Sequence, residues 1–146
     1  MRFAVFMLVA FSVTILSAGM TTARETDLKL PVQHALETSV AKKKLLDIPF
    51  FMAGQKHDNV VKDLGVFKSS KTSSGFSKSD QEGCDQAFLS AIISLQERVK
   101  KEGGDAVVDI KSVTKGNNME SATEFGCLAG ALVVRVALEG RIVKLK

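Results

Sequence analysis

The sequence predicts an α+β domain in which one main amphipathic helix packs on a small antiparallel or mixed sheet, preceded by a short amino-terminal helix. Two observations favour this fold class. A stretch with helical periodicity runs from Ser79 to Glu102, and runs rich in β-branched residues follow it to the end of the chain. The chain has 146 residues, which suits a leader followed by a single domain.

The first 23 residues have the composition of a secretory signal peptide. Arg2 precedes an apolar run from Phe3 to Leu16, and small and polar residues follow up to Ala23. The run is shorter than the roughly 20 apolar residues that a membrane-spanning helix needs, so cleavage near Ala23 is favoured over an uncleaved anchor. The sequence therefore predicts a periplasmic or secreted product with no stable membrane span after cleavage.

The segment 24–78 is the variable amino-terminal part of the predicted domain 24–146. Leu30-Pro31 indicates the start of a helix with a buried side that includes Val32, Ala35 and Val40, and with a break near Ser39. The elements predicted after this helix are a strand over Ile48–Met52, a loop over Gln55–Asn59, a strand over Val60–Ser70 and a mobile link over Ser69–Ser79.

The main helix has recognisable ends and one clear apolar stripe. Ser79 and Glu82 form a capping-box pattern, and Gly103 and Gly104 follow the last helical residue. The residues predicted to be buried are Cys84, Phe88, Ala91, Ile92, Leu95 and Val99. The polar residues predicted to point away from that stripe are Asp85, Gln86, Gln96, Glu97 and Lys100.

The residues after the helix predict the rest of the sheet. Ala106–Val113 alternates as a strand does, and Lys115–Asn118 is a turn signal. Extended runs are predicted over Ala122–Leu128 and Ala131–Leu138, with Ala129-Gly130 as a bulge or kink in one long strand, and with a tight turn or bulge at Glu139-Gly140 before Arg141–Leu145.

The two cysteines are expected to form one structural disulfide. Cys84 and Cys127 are the only cysteines of the chain, and an exported protein meets an oxidising compartment. Closing a loop of about 43 residues is worth about 4 kcal/mol in the chain-entropy model. Two separate buried thiols are the alternative, because both residues lie in apolar surroundings in the sequence.

No motif points to a metal, a cofactor or catalysis. The chain has no Cys-x-x-Cys and no His pair, and His34 and His57 are predicted to be ordinary surface residues. Gly-x-Ser-x-Gly and glycine-rich phosphate loops are also absent from the sequence. Nucleic acid is not an expected partner, because the basic residues are dispersed and the chain has no Trp or Tyr. The one tight basic cluster, Lys42–Lys44, is predicted to be a solvated helix end.

The carboxy-terminal half resembles a known group of sequences. The stretch GCDQAFLSAIISLQERVKKEGGDAVVDIKSV, followed by ESATEFGCLAGALVVRVALEGRIVKL, is similar to a family of small exported bacterial proteins of unknown function. Such sequences are often labelled as similar to a subunit of the excinuclease ABC, although this chain has neither a nucleotide-binding loop nor zinc-finger cysteine pairs. Segment 79–146 also resembles the YbjQ-like, or heavy-metal-binding-domain-like, α+β fold, which forms rings. The resemblance implies a possible homo-oligomer and assigns no functional residue.

These observations predict an exported binding or interaction module without catalytic activity. Its partner would be an unknown envelope protein or a small ligand. The alternative is a soft-metal-binding or thiol redox protein that uses Cys84 and Cys127. A hydrolase is the third hypothesis, and convergence of polar side chains in one pocket would favour it.

Overall fold

The computed structural model of the protein describes residues 23–146, except Ser77 and Gly116. The predicted signal peptide lies outside the described residues, apart from Ala23. In chain order the elements are β1 (Glu25–Pro31), α1 (Val32–Glu37), α2 (Ser39–Lys44), β2 (Phe50–Met52), β3 (Val60–Ser74), α3 (Asp80–Glu102), β4 (Ala106–Thr114), β5 (Asn117–Met119), β6 (Glu124–Gly130) and β7 (Val133–Leu145).

The predicted fold class was wrong about the sheet. The seven strands form one curled mixed sheet that holds 46% of the described residues, against 29% in helices, so the molecule is not a main helix on a small sheet. The sequence analysis also missed the first described element, the strand β1, which precedes the predicted short helix. Leu28 and Leu30 alternate with charged residues in β1, and β1 pairs antiparallel with β6.

Strand β7 holds the sheet together. Strand β3 pairs with β7 along its whole length, from Ser74 opposite Val133 to Val60 opposite Leu145. Strand β3 therefore occupies one edge of β7. The other edge of β7 is therefore shared by β6 and then β4. Strand β1 lies outside β6, while β2 and β5 pair with β4. This sharing requires β4 and β6 to diverge, which curls the sheet around α3.

Side chains fill the place where β4 and β6 diverge. The hydroxyl of Ser112 accepts a hydrogen bond from the backbone N–H of Gly126 at 2.8 Å. The hydroxyl of Thr114 accepts from the N–H of Ala137 at 3.2 Å. Both hydroxyl-bearing residues are buried, so they satisfy backbone groups that strand pairing leaves unpaired.

A bulge in β4 lies opposite Gly140. Val108 pairs with Arg141 and Lys111 with Glu139, so Asp109 and Ile110 both face one residue of β7. Asp109 has a φ of 52°, and a Cβ on Gly140 would lie 2.5 Å from Cγ1 of Val107. The predicted turn or bulge at Glu139-Gly140 was therefore wrong for β7, which continues through both residues, while the bulge belongs to the partner strand.

Two other predicted boundaries were also wrong. Strand β3 continues to Ser74 through most of the predicted mobile link, because an edge strand that faces solvent on one side accepts Ser, Thr and Lys. Ala129-Gly130 ends β6, and the chain then reverses, so Ala129 pairs with Val134 in a hairpin and not within one long strand. Asn117 and Asn118 belong to β5 and pair with β4, while Gly116 of the predicted turn lies outside the described residues.

The amino-terminal helices confirm the predicted helix and its break. Pro31 is the N-cap of α1, and Thr38 separates α1 from α2. The Thr38 hydroxyl accepts a hydrogen bond from the N–H of Ala41 and donates one to the carbonyl of Ala35. Lys42–Lys44 are exposed in the last turn of α2, as predicted.

Helix α3 has the predicted caps but two buried sides. The capping box of Ser79 and Glu82 is present, and Gly103 takes the left-handed conformation. The prediction that Gln96 points away from the core was wrong, because Gln96 is only 1% exposed. Its amide exchanges hydrogen bonds with the backbone of Leu46 and donates one to the carbonyl of Ile48. Gln96 is buried because its amide supplies hydrogen-bond partners for backbone groups of the segment 45–49.

The predicted disulfide is confirmed and lies in the core. Cys84 and Cys127 are bonded, with a Cα–Cα distance of 6.0 Å, and neither is exposed. Phe88 stacks on Phe125 with ring centroids 4.3 Å apart. Four helical residues advance about 6 Å and two strand residues about 7 Å, so the two links between α3 and β6 are in register.

Candidate functional site

A groove lies between the amino-terminal helices and the first half of α3. It has a volume of about 500 Å3 and is open to solvent. Its lining residues are His34, Thr38 and Val40 from the α1–α2 side, and Lys78, Glu82, Asp85, Gln86 and Leu89 from α3 and the segment before it. Volumes of roughly 300 to 1,000 Å3 are typical of small-molecule sites.

The groove contains a histidine held by a buried carboxylate. Nδ1 of His34 lies 2.7 Å from Oδ2 of Asp85, and the other oxygen, Oδ1, accepts a hydrogen bond from the Gln81 amide at 2.9 Å. The Asp85 side chain is 3% exposed, whereas the His34 side chain is 54% exposed. The carboxylate is therefore fixed at both oxygens, and it orients an imidazole that solvent and ligands can reach.

This contact leaves one nitrogen of the imidazole for a ligand. An ionised carboxylate accepts a hydrogen bond from the ring nitrogen that carries the hydrogen, so of the two neutral tautomers of His34 Asp85 favours the one with hydrogen on Nδ1. In that tautomer Nε2 of His34 is a hydrogen-bond acceptor. The arrangement orients an acceptor toward the groove in the way that carboxylates behind metal-binding histidines orient the imidazole ring.

The other polar groups of the groove are held by neighbouring residues. Lys78 Nζ lies 2.7 Å from Oε1 of Gln86, and the Ser73 hydroxyl donates to the same oxygen at 3.2 Å. Glu82 accepts a hydrogen bond from the N–H of Ser79 in the capping box. Partly exposed Val40 and buried Leu89 are the apolar residues of the lining. The groove thus has a polar rim around a partly apolar floor.

No unengaged hydroxyl nucleophile lines the groove among the described residues. Thr38 carries the one hydroxyl in the lining, and this hydroxyl is used at the junction of the two short helices. Nucleophilic catalysis requires a hydroxyl or thiol within hydrogen-bond reach of the base. The groove therefore has the features of a binding site more than those of an acyl-transfer site.

A second polar region covers the face of the sheet turned away from α3. Glu139 lies 3.5 Å from both Lys68 and Lys111, and Lys111 also lies 3.8 Å from Glu120. These residues border cavities of about 300 and 490 Å3. Each of these charges already has a partner of opposite sign. A ligand here would have to displace existing ion pairs, so the groove is the better candidate.

Asp63 belongs to the same charged face. The backbone N–H of Gly65 and then the Arg141 guanidinium hold the pKa of the Asp63 carboxyl below its ordinary value of 3.8. Arg141 also lies 3.8 Å from the carboxylate of Asp109. This group of charges connects β3, β7 and the bulge of β4, and its role is structural.

The other predicted site residues lie apart from the groove's imidazole. The Cys84 and Cys127 sulfurs are bonded to each other in the core. The ring of His57 lies 5.5 Å from that of Phe51, in a tilted arrangement, and its Nδ1 contacts the carbonyl of Asp58. His57 is thus a surface residue as predicted, whereas the prediction for His34 omitted its buried carboxylate partner.

Asp85 is the functional candidate that sequence reasoning missed. The prediction that it points away from the core was wrong, because it is 2% exposed. A signal was present in the sequence: Asp85, Leu89, Ile92, Gln96 and Val99 are spaced by four, three, four and three residues, which defines a second stripe on α3. A carboxylate in a largely apolar stripe indicates a specific partner.

Neither a metal cluster nor a membrane-spanning helix is found in the part of the chain that the structure describes. Within residues 23–146, apart from the two undescribed positions, no group of three or more His, Cys, Asp and Glu side chains has a metal-binding arrangement. No helix in that part of the chain is long and apolar enough to cross a membrane.

Comparison of the chain with models of protein families, with characterised proteins and with solved structures finds no match. The resemblance to small exported bacterial proteins and to the YbjQ-like fold therefore stays a prediction.

Proposed function

We propose that the protein is an exported binding module without catalytic activity, and that the groove around His34 and Asp85 is its ligand site. The observation that carries this proposal is the half-exposed imidazole held 2.7 Å from a buried carboxylate. A buried charge lowers stability unless it is paired, so a carboxylate kept at this position is best explained by the histidine that it orients.

The chemistry of the groove suggests the class of ligand. Nε2 of neutral His34 accepts a hydrogen bond, so a hydroxyl or an amide N–H of the ligand would face it. The partly exposed Val40, with buried Leu89 also in the lining, suits a hydrocarbon portion of the same ligand. The volume of about 500 Å3 suits a small molecule or a short peptide end better than a folded partner.

Binding can be tested with the two histidines of the chain as a matched pair. A library of small alcohols, amides and amino-acid derivatives would be screened by two-dimensional NMR on the isotope-labelled protein. We expect shift changes that cluster in segments 34–40 and 78–89. His34→Ala is expected to abolish them, while His57→Ala, at the other imidazole of the chain, leaves them unchanged. Absence of any hit, or hits that persist in His34→Ala, would contradict the proposal.

Export is tested independently. Mass spectrometry of the protein from a cell envelope fraction is expected to find a mature chain that starts near Arg24. Recovery of the intact chain from the cytosol would contradict the export part of the proposal. It would not affect the proposal that the groove binds a ligand.

The thiol alternative also stays a prediction. An oxidised Cys84–Cys127 pair is compatible with a structural disulfide and with the oxidised state of a redox protein. Double substitution to Ser separates the roles: a redox or soft-metal role predicts a change in bound metal or in thiol exchange, whereas a structural role predicts loss of stability alone.

A further inference from the structure

Three large apolar side chains are exposed at one end of the β3–β7 pair. Phe76, Leu132 and Val133 are 72%, 68% and 51% exposed. The backbone brings the two segments together, because the N–H of Gly75 donates to the carbonyl of Leu132 at 2.9 Å and Ser74 pairs with Val133. We call Phe76, Leu132 and Val133 the apolar tip.

The described chain begins beside this tip. The Arg24 guanidinium donates to the carbonyl of Gly130 at 3.2 Å, two residues before Leu132. It also donates to both carboxylate oxygens of Asp80, at 2.9 and 3.1 Å. The segment that precedes Arg24 therefore leaves the domain at the apolar tip, and the charge of Arg24 is balanced there by Asp80.

We propose that the apolar tip docks on the surface of a phospholipid bilayer while the leader still tethers the domain to the membrane. The proposal depends on the predicted leader and is independent of the groove. Residues 17–23 separate the apolar run Phe3–Leu16 from Arg24, and seven residues reach at most about 25 Å. The tether therefore keeps the tip close to the bilayer at high effective concentration.

The size of the tip favours a bilayer over a second copy of the chain. Three side chains of this exposure present on the order of 300 Å2 of accessible surface, whereas a stable protein interface buries about 800 Å2 of accessible surface on each partner. Exposed Phe and Leu side chains lower their free energy by entering the interfacial region of a membrane.

The chain has no Trp and no Tyr, so a single Trp at the tip reports its surroundings. The full chain with Phe76→Trp would be reconstituted into vesicles of phosphatidylethanolamine and phosphatidylglycerol, with and without brominated lipid. Leu132→Trp repeats the measurement on the second segment of the tip. The control is Val61→Trp, which is 61% exposed but lies near the opposite end of β3, roughly 40 Å along the strand.

We expect brominated lipid to quench both tip tryptophans by at least roughly twofold, and to leave the Val61→Trp emission unchanged. Equal quenching at the tip and at the control position would overturn the proposal. Tip emission that depends on protein concentration and not on lipid would also overturn it, since it would identify a second copy as the occupant. Tip emission already shifted to the blue without lipid, at every protein concentration, would overturn it as well, since it would identify the leader itself as the occupant.

Discussion

Removal of the Cys84–Cys127 disulfide is expected to lower the free energy of unfolding by about 4 kcal/mol. The bond joins residues 43 positions apart, and the chain-entropy model assigns about 13 cal/mol/K of unfolded-state entropy to a loop of that length. Both residues are fully buried, so reduction has to proceed through the unfolded chain. The comparison is between the oxidised protein and the same protein unfolded, reduced and refolded, because these two states contain nearly the same atoms.

Urea unfolding followed by circular dichroism measures this difference. A loss of about 4 kcal/mol corresponds to a midpoint that is lower by about 2 M, given the usual dependence on urea for a domain of this size. The variant with both Cys84→Ala and Cys127→Ala is the control, since reductant should not change its unfolding. A difference below about 1 kcal/mol between the oxidised and reduced proteins would refute the assignment of this bond as a main stabilising link between α3 and the sheet.

Three further changes test other parts of the fold. Gln96→Leu should destabilise the protein by about 3 kcal/mol and accelerate amide exchange in segment 45–49, because buried backbone groups lose their partners; unchanged exchange there would contradict this role. Gly140→Ala should cost about 1 to 3 kcal/mol, since the added Cβ would lie 2.5 Å from Val107, and a neutral result would show that the bulge can relax. Because the pKa of Asp63 is lowered in the folded protein, its carboxylate stabilises the fold at pH values above the ordinary pKa of 3.8. This contribution disappears as the pH falls through the lowered pKa. Asp63→Asn should therefore be less stable than the wild type at neutral pH. Urea titrations should show that the free energies of unfolding of the two proteins converge in acid, and a difference that stays constant with pH would contradict this assignment.

The features that sequence reasoning predicted correctly are those set by neighbouring residues. The capping box and the glycine stop of α3 depend on residues within one helical turn. The disulfide followed from there being two cysteines in a chain with an export-like leader. Strand β4 was evident because Ala106–Val113 is rich in β-branched residues and alternates loosely with polar ones.

The features that sequence reasoning missed depend on distant partners. The polar end of β3 becomes a strand because β7 supplies its hydrogen bonds, about 60 residues later in the chain. The register shift opposite Gly140 arises only when β4 and β7 are paired. Asp85 and Gln96 were assigned to solvent because polarity alone was considered, whereas their partners lie about 50 residues earlier. A polar residue in an apolar stripe is the signal that would have found them.

The central claim is that Asp85 holds His34 with Nε2 free to accept a hydrogen bond from a ligand. Imidazole nitrogen NMR measures this directly, because the chain has only two histidines. At about pH 8 we expect the hydrogen of His34 on Nδ1, and a bound ligand should shift its Nε2 signal while His57 is unaffected. A His34 with its hydrogen on Nε2, or a tautomer that is unchanged in Asp85→Asn, would contradict the account.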